Sequence, residues 1–160
     1  MGEDGASQEE QLLAACMTDQ SDLVRELLQD SHPVDVNFTN SLGYTALHYA
    51  AQTGSVDCMR LLVAVQGVNP NIQDSLDKDT PLHKALVHCD SSETALELTR
   101  LLLTAGADPR ITNEKRQRPV TLTEPEEEDI RRLLVQATLA AETRRTQPDD
   151  SSDGGSCSSD

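Results

Sequence analysis

The sequence predicts an all-α fold, a solenoid of stacked helix-turn-helix units. Three observations carry that prediction. The segments "HPVDVNF" (His32–Phe38), "QGVNPNI" (Gln66–Ile72) and "AGADPRI" (Ala105–Ile111) share one pattern: a turn, a small apolar residue, Asp or Asn, Val or Pro, a polar residue, then Phe or Ile. Ahead of each lies a helical apolar run with a basic residue at the same place, "LVRELL", "CMRLLV" and "LTRLLL", carrying Arg25, Arg60 and Arg100. Self-similarity of this kind is the signature of a repeat array. Aromatic residues make up only 2% of the 160-residue chain. Its apolar area must therefore come from Leu, Val, Ala and Ile, which favours thin layers of helices over one deep core.

The elements follow in order. Residues 1–8 read as disordered. Residues 9–40 form an N-terminal cap, with Leu12, Leu13, Ala15, Val24, Leu27 and Leu28 facing inward and Glu9, Glu10 and Gln11 facing water. The unit at 41–74 opens a helix at "TALH" (Thr45–His48), where Thr45 suits the N-cap. Leu47 and Ala50 make a narrow apolar stripe, and Gly54 allows the left-handed backbone that ends the helix. Met59, Leu62 and Val63 are expected inside the second helix of this unit. The unit at 75–113 opens at "TPLH" (Thr80–His83), with Pro81 at the first helical position, where its missing N–H is no loss. Leu82 and Ala85 repeat the stripe. Between Ala85 and Arg100 this unit holds five residues more than its predecessor holds between Ala50 and Arg60. Asp90 is expected to cap its second helix, with Glu93 at the third position. The insertion either lengthens both helices into a recognition ridge or forms a surface loop, and loops take extra residues cheaply. A worn start, "RPVT" (Arg118–Thr121), opens the C-terminal cap at 114–145. There Thr123 and Glu126 have the spacing of a capping box around Pro125. Ile130, Leu133, Leu134 and Ala137 follow at helical spacing. The acids of Glu126–Asp129 suit the helix dipole, and Glu127 and Glu128 stand four residues before Arg131 and Arg132. Residues 146–160 lack apolar residues other than Cys157 and read as an acidic, disordered tail.

These motifs resemble the ankyrin-repeat family, with its T-P-L-H helix opening, A-A-x-x-G helix end and G-A-D-x-N turn. The second unit matches through Thr45, Leu47, His48, Ala50, Ala51 and Gly54; the third keeps Thr80, Pro81, Leu82, His83 and Ala85, then departs. The resemblance runs from about Glu9 to Gln136. It implies that His48 and His83 hydrogen-bond near the helix start and tie adjacent repeats together. It also implies short hairpin-like fingers between units and a concave face where partners bind. Carried to this chain, the contact positions are Ser41, Leu42, Tyr44, Gln52 and Thr53, then Asp77, Asp79, Val87 and His88. An exposed Tyr44 beside Leu42 is expected to anchor a partner, whereas Tyr49 stands at a packing position.

Enzymatic chemistry finds no support in the sequence. No nucleophile recurs beside the histidines, and the glycines form no phosphate-cradling loop. His83, His88 and Cys89 lack the spacing of a zinc set, so no metal or other cofactor is expected. With 28 acidic against 13 basic side chains the net charge is −15, which repels nucleic acid and anionic membranes. The expected partner is a protein, a basic one fitting the charge best, bound by a monomer. Narrower alternatives are an acidic escort for a basic client such as a ribosomal protein, or a regulatory or adaptor subunit of an enzyme complex. Cys16, Cys58, Cys89 and Cys157 form no CxxC pair, Cys16 and Cys58 read as small core residues, and Met1–Ser7 has no apolar run. Reduced thiols in the cytoplasm or nucleus are expected.

Overall fold

Seven α-helices form where the sequence supplies caps and apolar stripes, in a computed structural model that describes residues 7–30 and 33–146. No strand occurs among them. Helix α1 (Gln8–Met17) starts at Ser7, whose hydroxyl accepts the Glu10 amide. Ser7 and Gln8, expected within the disordered N-terminus, thus belong to this helix and its cap. Helix α2 (Ser21–Gln29) returns beside it. In the second unit α3 (Ala46–Thr53) is capped by Thr45 and ends at Gly54, whose φ of 74° is the left-handed turn that glycine takes freely. Helix α4 (Val56–Val63) buries Met59 and Leu62 and leaves Val63 half-buried. Helices α5 (Pro81–His88) and α6 (Ser92–Thr104) repeat the pair. A 3-10 helix (Pro119–Leu122) and α7 (Glu128–Thr146) close the stack.

The packing forms two layers. Helices α1, α3 and α5 lie side by side in one, α2, α4 and α6 in the other. The 3-10 helix follows α5, and α7 packs on α6. The "RPVT" start therefore yields one tight turn instead of a full first helix. Leu12, Leu47, Met59, Leu62, Leu82, Leu98, Leu102, Ile130 and Leu134 are fully buried in one continuous core. Cys16 and Cys58 lie within it, thiol against thiol.

A second set of bonds rivets the turns. Asn37 Nδ2 donates to the Gly67 carbonyl (3.0 Å) and its Oδ1 accepts the Asn69 amide (2.7 Å). One unit on, Asn71 does the same with the Gly106 carbonyl (3.2 Å) and the Asp108 amide (2.7 Å). At the third such position Arg110 pairs with Asp108 of its own turn (2.9 Å).

Four local expectations are corrected. The cap of α6 is Ser91, whose hydroxyl accepts the Thr94 amide, and not Asp90. Four of the five inserted residues add a first turn to α6, which has 13 residues against eight in α4, and one lengthens the loop; α5 keeps the eight residues of α3. Thr123 and Glu126 make no capping box. The Thr123 hydroxyl donates to the Val120 carbonyl (2.8 Å), and Glu127 accepts the Glu124 amide (2.7 Å), so α7 starts later. Arg131 reaches back to Thr123 and to the Glu124 carbonyl, and Arg132 pairs with Asp129 (3.3 Å), so neither makes the expected pair four residues back. The disorder expected of residues 1–6 and of the tail beyond Thr146 falls outside the described residues.

Candidate protein-binding surface

Each finger is closed by one side chain at its base. Asn40 Oδ1 accepts the amides of Leu42 (3.0 Å) and Tyr44 (3.1 Å). Asp74 Oδ1 accepts those of Asp77 (2.8 Å) and Lys78 (3.0 Å). Asn113 Oδ1 accepts those of Lys115 and Gln117, both at 2.9 Å. Neighbouring fingers are joined by backbone bonds, Ser75 N–H to the Leu42 carbonyl (2.9 Å) and Glu114 N–H to the Asp77 carbonyl (2.8 Å). Gly43 makes the first junction feasible. At φ 82° a Cβ there would lie 2.6 Å from the Ser75 amide nitrogen.

The two motif histidines bind helix starts to fingers. His48 Nδ1 accepts the Thr45 amide (3.0 Å), which leaves the proton on Nε2 to donate to the Asp79 carbonyl of the next finger (2.9 Å). His83 repeats this with the Thr80 amide (3.1 Å) and the Gln117 carbonyl (2.9 Å). Burial pushes both imidazoles below their ordinary pKa, and the carbonyl bonds only partly restore it. They are buried and neutral, with both ring nitrogens engaged, so neither can serve as a base for a substrate.

Beneath the first two fingers lies a buried charge cluster that sequence reasoning missed. Lys84 Nζ stands 3.2 Å from Asp74, 3.4 Å from Asp79 and 4.0 Å from Asp77, and 4.9 Å from the centre of the Tyr44 ring. Burial alone would lower the pKa of Lys84. Contact with Tyr44 and Asp74 outweighs it and holds the ammonium above its ordinary value. Burial likewise works to raise Asp74, but the Asp77 amide and Lys84 leave its pKa lowered. The three carboxylates approach closely enough to suit a metal ion. The Lys84 ammonium already supplies the cation there. The signal was present in "TPLHK" against "TALHY", a lysine where the earlier unit has Tyr49, and in the added acid of "DSLDKD".

This cluster corrects the expected anchor. Tyr44 is only 8% exposed, stacked on His48 (ring centres 5.4 Å apart) and tilted against Tyr49 (5.0 Å). Asp79 is also buried, held by Lys84 and by Asn113 Nδ2 (3.0 Å). Gln52 is half-buried, with its side-chain oxygen enclosed and unpaired among the described residues. The hydroxyl of exposed Thr53 is engaged by the Tyr49 carbonyl (2.8 Å) and Ser55 (2.7 Å). Tyr49 is buried, its hydroxyl accepting from Asn40 (2.9 Å). Ser41, Leu42, Asp77, Val87 and His88 are exposed. Leu76 joins them unexpectedly: it is 53% exposed beside Leu42 at 42%. The repeated Ser-Leu of Ser41-Leu42 and Ser75-Leu76 was the clue.

The family model for ankyrin repeats, in three copies, matches residues 12–113, well over half the chain. The chain belongs to the ankyrin-repeat family. An ankyrin repeat-containing protein of Saccharomyces cerevisiae is 31% identical over 96% of this chain and 91% of its own length. The ankyrin repeat, SAM and basic leucine zipper domain-containing protein 1 of Oryctolagus cuniculus is 34% identical over 66% of this chain, and its Ornithorhynchus anatinus counterpart 35% over 70%. The chain spans only 21% and 23% of those two relatives. Ankyrin repeats are protein-interaction modules as a class. Among the described residues no helix is long and apolar enough to cross a membrane.

Proposed function

We propose that this ankyrin stack is a non-enzymatic binding module, a monomer that holds a partner protein across its fingertips and the exposed ends of α3 and α5. One observation carries the reading. Leu42 and Leu76 project from adjacent fingertips locked together by the Ser75–Leu42 bond, and Val87 (51% exposed) lies on the same unit as Leu76. Large apolar side chains exposed together on a pre-organised polar scaffold mark a contact surface. The thiols and charge suit the cytoplasm or nucleus.

An adaptor reading and an escort reading differ in their salt response. An apolar contact centred on Leu42 and Leu76 holds as ionic strength rises, whereas a basic client captured by charge leaves. The test is affinity purification at low and high salt, comparing wild type with the Leu42→Ser, Leu76→Ser pair. The proposal expects a salt-resistant partner that the double variant recovers at least tenfold less. Equal recovery by both proteins overturns it.

A further inference from the structure

The turn added to α6 has no counterpart in α4, and it creates a slot. Its wall carries Ser92 and Glu93, its floor is half-buried Leu96 and buried Ile130, and Glu126, Glu127 and Asp129 of the α7 start stand opposite. The cavity measures about 120 Å³. At about 30 Å³ of liquid volume per water, that is room for one slender side chain. Helix-dipole compensation explains a carboxylate or two at each helix start. This end of the molecule gathers Asp90, Glu93 and Glu97 with Glu124, Glu126, Glu127, Glu128 and Asp129. Glu97 pairs with Arg60, Asp129 with Arg132, and Glu127 with the Glu124 amide. Glu93 and Glu126 have no cation beside them among the described residues. The negative field is felt nearby: the Cys89 thiol is pushed up by burial and further by Asp90 and Glu127.

We propose that this slot takes a lysine or arginine side chain from a basic segment of a partner protein. The aliphatic stem lies on Leu96 and Ile130 and the cationic head meets Glu93 and Glu126, the division that long basic side chains favour. The protein accommodates its own Lys84 in the same manner, stem enclosed and head among carboxylates. Phosphate-bearing partners are repelled by the same rim. The site is separate from the fingertip surface and stands or falls without it.

The test uses the full chain and a fluorescein-labelled, end-capped peptide of three Lys-Leu-Ser-Gly repeats, read by anisotropy at low salt. Glu93→Gln with Glu126→Gln is expected to weaken binding about tenfold. A charge-matched control, Glu26→Gln with Asp57→Asn on α2 and α4, should change it less than about twofold. Leu96→Ser, with folding checked by circular dichroism, should also weaken it, and Leu42→Ser with Leu76→Ser should not. Equal losses in the control and slot variants would show diffuse attraction to an acidic protein and overturn the proposal. So would loss in the fingertip pair, which would place the peptide on the other surface.

Discussion

Lys84 shows how one side chain reorganises a repeat. It sits where the preceding unit has Tyr49, with a side chain only 3% exposed, and Asp74 beside it is wholly buried. Removing one member of such a pair leaves the other charged and unsolvated. Lys84→Ala should therefore cost about 3–5 kcal/mol in urea unfolding. Adding Asp74→Asn to Lys84→Met should restore part of the loss, because the orphaned charge goes with it. Gly43→Ala should likewise cost more than Gly54→Ala, since both positions need left-handed backbone but only the first would drive a Cβ into the next finger's backbone. Comparing the two unfolding midpoints checks this. The glycine at 54 was readable because it ends a helix within a known spacing. Lys84 was missed although its sequence differed from the earlier unit, because a lysine and three nearby acids read as ordinary surface charge until the finger folds back over its own helix, and the same contact buries Tyr44 against expectation.

At the level of elements, caps divide into those a motif fixes and those it leaves open. Thr45 and Thr80 each precede a histidine that completes the box, and both were legible. The starts of α6 and α7 were misplaced by one residue and by a full turn. Asp90, Ser91 and Ser92 all offer suitable side chains, as do Thr123, Glu124 and Glu127, and neither propensity nor spacing chooses among neighbours. Packing chooses, through Leu98 inside α6 and Ile130 and Leu134 inside α7. Ser91→Ala should lower stability by about 0.5–1 kcal/mol, at the modest end for a cap because the bond is long and exposed. Asp90→Ala should change little. Paired thermal melts of the two variants decide whether the register is as described.

For the whole molecule, acid sensitivity follows from two neutral imidazoles. His48 and His83 have ordinary pKa values of 6.5 that burial lowers in the folded chain. Below pH 6.5 the unfolded chain binds protons that the native one refuses. Their contribution is whole above that pH and drains away as pH falls toward the folded values. The expected slope is up to about 1.4 kcal/mol per pH unit for each ring. His48→Gln should make the slope shallower in urea titrations between pH 7 and 5, relative to wild type. Asp74 and Asp108, lowered from 3.8, add a second loss only in stronger acid. The two-layer stack was legible from the recurring turn and stripe; the substitution of a 3-10 turn for a fourth first helix was not, because "RPVT" keeps only a trace of the opening motif. The amides of Asn37 and Asn71 each reach forward to hook the following turn, while Arg110 folds back on its own. The asparagine hook thus serves the two junctions between successive turns and is given up at the last, where α7 lies against α6 and holds the closing unit by apolar packing instead.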